Sequence, residues 1–210
     1  MGKGLLVVIS GFSGSGKGTL MRELLKRYSN YSLSVSATTR EPRNGEKNGK
    51  DYFFISREDF EQRIHDNKFI EYAAYCGNFY GTPKDYVLSQ MGMGKDVILE
   101  IEIQGALKVK QKFPDTVLIF VTPPDTETIR NRLIKRGTET EEQIRSRLHR
   151  AAEESRWMDG YDYLVINDDL NKAVEQLHSL IDSQHRRTKW NMDFVKKIQD
   201  DLNEHYFKED

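Results

Sequence analysis

The sequence has few of the features that mark disulfide-rich, metal-cluster or membrane proteins. It contains one cysteine, Cys76, in 210 residues, which excludes an internal disulfide and a cysteine-cluster metal site and is typical of a reducing compartment. The longest early apolar run, Leu5 to Ile9, is too short for a signal sequence or a transmembrane helix, and Leu6 stands where a myristoylation signal needs Ser or Thr. We therefore expect a cytoplasmic protein with no membrane partner, and we assign Cys76 no chemistry.

The chain also lacks an excess of charge of either sign. Lys and Arg number 32 and Asp and Glu number 33, which gives a net charge of -1. No global field would draw such a protein onto nucleic acid. With 37% hydrophobic and 31% charged residues and a mean hydropathy of -0.70, the composition is that of a globular domain with a buried core. Any anionic ligand must therefore be bound by a local site.

Short apolar runs alternate with amphipathic stretches, a pattern that predicts an α/β fold. Leu5–Ile9 is followed by a glycine-rich segment and then by apolar residues at helical spacing from Lys17 to Tyr28. Further apolar strands are predicted at Val97–Ile101, Val117–Val121 and Tyr163–Asn167. The right-handed crossover rule then favours a doubly wound parallel sheet of about five strands.

A segment richer in β-like pieces interrupts this alternation. The pieces lie at Leu33–Ser36, Asp51–Ile55 and Phe69–Tyr75, and a short helix opened by Ser56 and Asp59 separates them. We expect residues 36–82 to form an inserted β-rich subdomain.

Two further helix starts carry capping signals. Thr82-Pro83-Lys84-Asp85 offers a capping hydroxyl, a proline at the first helical position and an acid at the third, which predicts a helix to about Met93. Thr140 and Gln143 form a capping box that opens the helix Thr140–Trp157, and Gly137 separates this helix from the preceding one, Asp125–Arg136.

These elements divide the chain into one domain, residues 1–184, and an extension, residues 185–210. The domain has a core (1–35, 83–124 and 158–184), the insertion (36–82) and the charged helix pair (125–157). In the extension an apolar stripe at Trp190, Phe194, Ile198 and Leu202 predicts an amphipathic helix. We expect this helix to pack on the body or on a second subunit, as in a homodimer or higher homo-oligomer.

The segment Gly11-Phe12-Ser13-Gly14-Ser15-Gly16-Lys17 matches G-x-x-x-x-G-K between a predicted strand and a predicted helix. Backbone N–H groups and the helix N-terminus bind anionic phosphates there, and Lys17 supplies a charge for the β and γ oxygens. Nucleoside triphosphate binding is therefore predicted for Gly11 to Thr19.

The residue after Lys17, where Ser or Thr normally contacts Mg²⁺, is Gly18, and the hydroxyl comes one position later at Thr19. We expect Thr19 on an α-phosphate, and Mg²⁺ bound with ATP through phosphates, waters and a carboxylate. Glu100, at the end of a predicted strand, is the candidate to orient a metal-bound water. Such a loop serves kinases, ATPases and GTPases alike, so the second substrate must be identified elsewhere.

Further segments resemble the signature segments of bacterial guanylate kinases, in the same order and spacing from Leu5 to about Gln184. They are Ser36-Ala37-Thr38-Thr39-Arg40-Glu41-Pro42-Arg43, Gly49-Lys50-Asp51-Tyr52, Phe69-Ile70-Glu71-Tyr72, Asn78-Phe79-Tyr80-Gly81-Thr82, Ile101-Glu102-Ile103-Gln104-Gly105, Arg136-Gly137-Thr138-Glu139-Thr140-Glu141-Glu142 and Ile166-Asn167-Asp168-Asp169. The resemblance implies a P-loop NTPase-type fold in which residues 36–82 bind GMP and residues 125–157 form a helical lid. Phe12 departs from the family, which usually has Pro there.

The resemblance also implies roles for single residues, and their chemistry suits those roles. The acceptor phosphate would be held by Arg40, Arg43, Tyr52 and Tyr80, because guanidinium and phenol groups donate to phosphate oxygens. Glu71 would accept the two adjacent guanine donors, N1–H and the exocyclic amine. The other implied base contacts are the hydroxyls of Ser36 and Thr82 and a second acid, Glu102, where the family often has Asp.

On the donor side, Arg132, Arg136 and Arg147 match the lid arginines that close over the transferred phosphoryl group, where such charges accelerate transfer. With Lys17 and Arg40 they are the candidate catalytic residues, and Asn167 joins the ATP-binding set. For Arg130, Arg145 and Arg150 we expect only a solvated helix face.

The resemblance implies transfer of the γ-phosphoryl group from MgATP to GMP and dGMP, in purine nucleotide metabolism. One alternative is an inactive guanylate-kinase-like scaffold for protein ligands, which an intact Lys17, Arg40 and Arg43 disfavour. Another is a nucleoside monophosphate kinase of different base specificity, which Glu71 disfavours. A switch GTPase is disfavoured by Gly18 and by the lack of an Asn-Lys-x-Asp segment.

Overall fold

The computed structural model describes residues 3–75, 77–135, 137 and 140–206. Cys76 and Arg136, both considered above, lie outside the described residues. The helices and strands in chain order are β1 Leu6–Gly11, α1 Lys17–Arg27, β2 Tyr31–Leu33, β3 Ala37–Thr38, β4 Phe53–Phe54, α2 Arg57–His65, β5 Phe69–Tyr75, β6 Asn78–Pro83, α3 Lys84–Gly92, β7 Asp96–Glu100, α4 Ile103–Lys112, β8 Val117–Thr122, α5 Thr126–Lys135, α6 Glu141–Ser155, β9 Tyr163–Ile166, α7 Leu170–Gln184 and α8 Met192–Tyr206. Short 3₁₀ helices lie at Met158–Gly160 and Thr188–Trp190.

A five-stranded parallel sheet with the order β2-β7-β1-β8-β9 forms the centre of the domain. Strand β1 is its middle strand, where Leu6 pairs with Val97 and Val7 pairs with Val117. Strands β1, β7 and β8 are buried along most of their length, because α1 and α7 cover one face and α3 and α4 the other. The predicted doubly wound α/β fold is confirmed.

The segment predicted as a strand at Leu33–Ser36 instead crosses between two sheets. Strand β2 ends at Leu33 in the parallel sheet, and β3 begins at Ala37 in a second sheet. The Ser34 N–H still donates to the Ile98 carbonyl at 2.8 Å, after which the chain leaves the parallel sheet. The alternating sequence predicts one strand because a local pattern does not show a change of partner strand.

The second sheet has the order β4-β3-β6-β5 and lies within the predicted insertion. Its core is aromatic: the ring of Phe60 on α2 stacks on Phe69 at 4.4 Å and on Phe79 at 5.3 Å between centroids. The helix start is confirmed, since the Asp59 N–H donates to Ser56 Oγ at 3.0 Å. The pairing of β5 with β6 shifts register between Phe69 and Tyr72, and such a bulge redirects the side chains within it.

The two remaining helix starts differ in outcome. The capping box of α6 is confirmed, with Gln143 N–H donating to Thr140 Oγ1 at 3.3 Å and Thr140 N–H donating to Gln143 Oε1 at 2.9 Å. The predicted cap of α3 is wrong, because Pro83 is the N-cap and Lys84 the first helical residue. The Thr82 hydroxyl donates instead to the Glu71 carboxylate at 2.7 Å.

The predicted C-terminal helix is present as α8, but the prediction that it packs on the body is wrong. Trp190, Phe194, Ile198 and Leu202, the four residues of the apolar stripe, are all exposed. Packing on a second subunit stays a prediction. Across the described ranges, no helix combines the length and apolar character that crossing a bilayer requires.

At the N-terminal edge of the parallel sheet, the buried carboxylate of Asp96 joins three segments. It accepts hydrogen bonds from the Leu5 N–H at 2.9 Å and from Asn30 Nδ2 at 3.3 Å. His185, at the end of α7, contacts the same carboxylate through Nε2 at 2.9 Å. This one side chain therefore fixes the start of β1, the loop before β2 and the end of α7.

We predict that Asp96→Ala lowers the free energy of unfolding by about 1–3 kcal/mol, because it leaves the buried Leu5 N–H without an acceptor. Asp96→Asn retains an acceptor oxygen and should lose less. Urea unfolding followed by circular dichroism measures both. Asp115→Ala, which removes an exposed partner of Lys189, is the control and should change the free energy by less than about 0.5 kcal/mol. Equal effects of Asp96→Ala and this control would contradict the assignment.

Candidate active site

The phosphate loop connects β1 to α1 through two glycines in left-handed conformations. Gly14 has φ 88° and Gly16, the N-cap of α1, has φ 85°, values that other residues rarely adopt. A Cβ on Gly16 would also lie 2.5 Å from Asn167 Nδ2. The loop can therefore curve so that its N–H groups and the start of α1 face the same region, which is the geometry of an anion site.

Hydrogen bonds and packing hold the loop from behind. Asn167 Nδ2 donates to the Ser15 carbonyl at 2.8 Å, and Arg132 donates to the same carbonyl at 3.3 Å and to the Asn167 carbonyl at 2.8 Å. Phe12 is buried with its ring 4.9 Å from that of Phe120. Asn167, predicted to bind ATP, and Arg132, predicted to contact the transferred phosphoryl group, thus both lie at the loop and support its backbone. Phe12 anchors the loop in the core where the family usually has Pro.

Hydrogen bonds of the loop side chains join the loop to α6 of the predicted lid, to its own backbone and to α1. Ser13 Oγ accepts a hydrogen bond from Arg147 at 2.7 Å, and Lys17 Nζ donates to the Gly11 carbonyl at 2.5 Å. Thr19 Oγ1 accepts from Arg22 at 3.2 Å. A Cβ on Gly18 would meet no atom within 4 Å, so packing does not exclude a hydroxyl side chain there.

A cleft of about 560 Å³ lies in front of the loop. Its walls include Glu100 at the end of β7, Glu102 at the start of α4, and Arg147 and Arg150 on α6. The location of Glu100 beside the loop is as predicted. Among the described residues no three potential metal-ligating side chains form a group.

Arg150 is exposed, as expected for a residue on a solvated helix face, and it also forms two ion pairs. Its guanidinium contacts the Glu102 carboxylate at 2.9 Å and the Glu154 carboxylate at 2.9 Å. The first contact joins the lid helix α6 to α4, far along the chain, which local helix periodicity does not predict. Glu102 therefore contacts the lid helix α6 at the cleft.

A second cationic group is built around Arg40 in the insertion. Arg40 donates to both carboxylate oxygens of Glu46, at 2.9 and 3.0 Å, and its Cζ lies 5.4 Å from the centroid of the Tyr52 ring. The rings of Tyr52 and Tyr80 are 6.1 Å apart. Glu46 raises the pKa of Arg40, with a smaller contribution from Tyr80. Three of the four predicted phosphate-binding residues thus lie together.

Glu46 was missed in the sequence, and it also affects Arg43. The Arg43 N–H donates to Glu46 at 2.7 Å, while the Arg43 side chain is exposed. The Arg40 guanidinium, helped by this N–H, holds the pKa of Glu46 below its usual value. The only signal in the sequence is an acid among basic residues, which does not distinguish an ordering partner from a surface charge.

Glu71 lies at the register shift of β5, where the insertion meets α4. Its Oε1 accepts from the buried Thr82 hydroxyl at 2.7 Å, and its Oε2 would be 3.6 Å from a Cβ on Gly105 of α4. Burial raises the pKa of Glu71, against the lowering effect of the Thr82 hydrogen bond. Ser36 is half-buried in the crossing between β2 and β3. The site thus contains a poorly solvated carboxylate, and such a group needs hydrogen-bond donors.

Known proteins are similar in sequence and fold over most of the chain. A family profile described as Guanylate kinase matches residues 3–184. The guanylate kinase of Caldanaerobacter subterraneus subsp. tengcongensis is 49% identical over 199 residues, 95% of this chain and 97% of that protein. That of Clostridium tetani is 52% identical over 187 residues, 89% of each chain. The crystal structure of guanylate kinase from Anaplasma phagocytophilum has a TM-score of 0.69 at 31% identity, covering 90% of this chain and 89% of that one. The chain therefore belongs to the guanylate kinase family.

Proposed function

We propose that this chain transfers the γ-phosphoryl group of MgATP to GMP, and also to dGMP, giving ADP and GDP in cytoplasmic purine nucleotide metabolism. Residues 36–82 bind the acceptor, residues 125–157 form the lid, and the rest of residues 1–184 carries the donor site. The observation that supports this acceptor best is the Glu71 carboxylate, held by Thr82 where the insertion meets α4.

Glu71 accounts for the choice of base. Guanine presents N1–H and an exocyclic amine side by side, so one carboxylate accepts both, whereas adenine presents a lone pair at N1. Because burial raises the pKa of Glu71, leaving its carboxylate unpaired is costly and guanine relieves that cost. A site that depends on such hydrogen bonds can reject a wrong substrate by roughly 10⁴–10⁵. Ser36 and Glu102 complete the guanine contacts.

The acceptor phosphate is bound at the cluster of Arg40, Tyr52 and Tyr80, with Arg43 closing over it. A guanidinium donates to phosphate oxygens in a planar, bidentate manner. Arg40 Nη2 donates to both oxygens of Glu46 at 2.9 and 3.0 Å, and Nη1 donates to the Glu41 carbonyl at 2.6 Å. The N–H groups not used in these contacts, together with the phenols, bind phosphate. This arrangement orients the acceptor oxygen and does not need a general base, since a phosphate is already ionised.

The residues at the cleft fit magnesium that is bound mainly by the substrate. Glu100 provides a carboxylate beside the loop. Mg²⁺ is commonly coordinated by several waters and by phosphate oxygens of the substrate. When bound, Mg²⁺ neutralises charge on the β- and γ-phosphates. Glu100 would accept a hydrogen bond from a water of the bound Mg²⁺, and Thr19 would donate to the α-phosphate.

Transfer proceeds by in-line attack of a GMP phosphate oxygen on the γ-phosphorus, without a covalent intermediate. Lys17 and the loop N–H groups stabilise the charge that develops on the transferred group. Arg132 and Arg147 already contact the loop through Ser15 and Ser13, so a small movement of α5 and α6 brings them to the phosphates. Arg136, by the same resemblance, is a third lid arginine. Closure of the lid also excludes water that would hydrolyse ATP.

A coupled assay of ADP formation tests the proposed function, with ATP as the donor and GMP, dGMP, AMP, CMP and UMP offered in turn. GMP and dGMP should be the efficient acceptors. Turnover of AMP or UMP but not GMP would identify another nucleoside monophosphate kinase. Absence of turnover with every acceptor, in protein that binds GMP, would identify an inactive scaffold.

We predict that Glu71→Gln lowers kcat/KM for GMP by about 10²-fold, since hydrogen bonds to charged groups contribute roughly 1.5–3 kcal/mol each. The Gln carbonyl oxygen can still accept the Thr82 hydrogen bond, but its NH₂ group then faces N1–H and the exocyclic amine of guanine, which are also donors. The ratio of kcat/KM for GMP to that for AMP should therefore decrease. Steady-state kinetics with both acceptors measure this. Glu61→Gln, on the exposed face of α2, is the matched control, and a GMP value within twofold of wild type for Glu71→Gln would refute the role.

The pH dependence provides a second readout of the same variant. In the free protein burial raises the pKa of Glu71, and the protonated form presents a donor to the guanine donors. The value of kcat/KM for GMP should therefore fall as the pH drops through that raised pKa. The GMP phosphate also titrates. The part of the acidic decrease in kcat/KM that is due to Glu71 is therefore the part that disappears in Glu71→Gln.

For Glu46 we predict that Glu46→Gln raises the KM for GMP about tenfold and leaves the KM for ATP unchanged, because the charged contact of Arg40 Nη2 with both Glu46 oxygens orients Arg40. Inhibition by guanosine, which lacks the phosphate, should not change. The neighbouring Glu41→Gln is the control, since only the backbone carbonyl of Glu41 accepts from Arg40. Equal losses of GMP and guanosine affinity would indicate a disordered insertion instead.

A further inference from the structure

Arg150 connects the lid helix α6 to Glu102, the second acid assigned to the guanine base. Its Nη2 donates to Glu102 Oε2 at 2.9 Å. Its Nε donates to Glu154, four residues further along α6, also at 2.9 Å. The side chain of Glu154 is 17% exposed, whereas those of Glu102 and Arg150 are 75% and 56% exposed in the cleft. Glu154 thus holds Arg150 on the lid helix, and from there Arg150 reaches Glu102.

The backbone around Glu102 is held on both sides. The hydroxyl of Ser10, a buried residue of β1, donates to the Ile101 carbonyl at 2.7 Å. Ile103, the first residue of α4, is buried in one apolar cluster with Ile144 of α6. Glu102 is the N-cap of α4, but its side chain makes no capping hydrogen bond. Its carboxylate therefore extends from a fixed backbone to the lid and not onto its own helix.

The strength of the pair between Arg150 and Glu102 depends on the water around it. In an open cleft the pair contributes little, because solvent screens exposed charges. Once nucleotides fill the cleft and the lid closes, water leaves and the same charges interact through a medium of lower dielectric constant. An ionised carboxylate accepts at both oxygens, so Glu102 can bind a donor of the base while Arg150 keeps Oε2. The pair therefore favours the closed lid when the site is filled.

We propose that Arg150 is a positioning residue that couples binding of the guanine base to closure of the lid, and that it acts through Glu102. Arg150 orients the Glu102 carboxylate toward the base, and the same contact holds α6 against the filled site. A base that offers Glu102 no donor leaves this carboxylate without its second partner, so closure is less favoured. The inference rests on the proposed function, because it takes Glu102 as a guanine contact.

The variant Arg150→Gln tests this coupling, because Gln keeps the helix propensity and removes the charge. Initial rates of ADP formation should show kcat/KM for GMP lowered about fivefold. The affinity for ATP without GMP, measured by calorimetry, should stay within about twofold of wild type, since Arg150 acts through an acceptor-site residue. Arg150→Lys should recover part of the loss, because Lys retains the charge but not the planar fork.

A double-mutant cycle distinguishes action through Glu102 from a direct contact with the phosphates. In the Glu102→Gln background, Arg150→Gln should change kcat/KM for GMP by less than about twofold, because the partner charge is already gone. A residue that binds phosphate directly would lose the same factor in both backgrounds. Arg145→Gln is the matched control: it removes the same charge from an exposed position of α6 that does not line the cleft, and it should leave both measurements unchanged.

The outcomes that contradict this inference differ from those that contradict the proposed function. An unchanged kcat/KM in Arg150→Gln, measured beside a wild type that converts GMP, would refute the role of Arg150 and leave the proposed function intact. A full loss in the Glu102→Gln background would make Arg150 a phosphate contact. A wild type that does not convert GMP would refute the proposed function, and the coupling with it.

Discussion

The carbonyl oxygen of Ser15 is the point on which the organisation of the site depends. Asn167, after the last strand of the sheet, and Arg132, on α5, both donate to it. Because this carbonyl accepts both hydrogen bonds on the side of the loop away from the cleft, the N–H groups of the loop can face the cleft. The same contacts couple the loop to the lid, since α5 and α6 pack on each other and on Phe12. Donor site, sheet and lid thus share one small set of hydrogen bonds.

Most of the fold and the loop could be predicted from the sequence, because their determinants are local. The buried strands are continuous apolar runs, the helix starts at Ser56 and Thr140 carry their capping partners three residues later, and the phosphate loop needs glycines at fixed positions in one short segment. Lys17, Asn167 and Glu71 could be placed because their neighbours in the chain belong to recognisable segments. In each case the interaction partner, or the motif, lies within a few residues.

The rest depends on contacts between distant parts of the chain. Thr82 has the same local signature as a helix cap, and only the proximity of Glu71 across two strands decides where its hydroxyl donates. Arg150 is one of several charged residues on α6 until the fold brings α4 beside it. The segment after Leu33 changes sheets, which a pattern of alternating residues cannot express. Whether the apolar face of α8 is buried or exposed is likewise decided by the folded chain, because the periodicity of the sequence predicts the face but not its contacts.

The ion pair between Arg40 and Glu46 has a thermodynamic consequence for substrate binding. An arginine side chain that is free in solution loses roughly 1.5–2 kcal/mol of rotamer entropy when a ligand immobilises it. In this protein Glu46 and the ring of Tyr52 have already restricted Arg40 before any substrate arrives, so folding and not binding bears that cost. In the proposed function the acceptor phosphate therefore meets a charge that is already in place, and its association depends more on desolvation of the phosphate than on ordering of the arginine side chain.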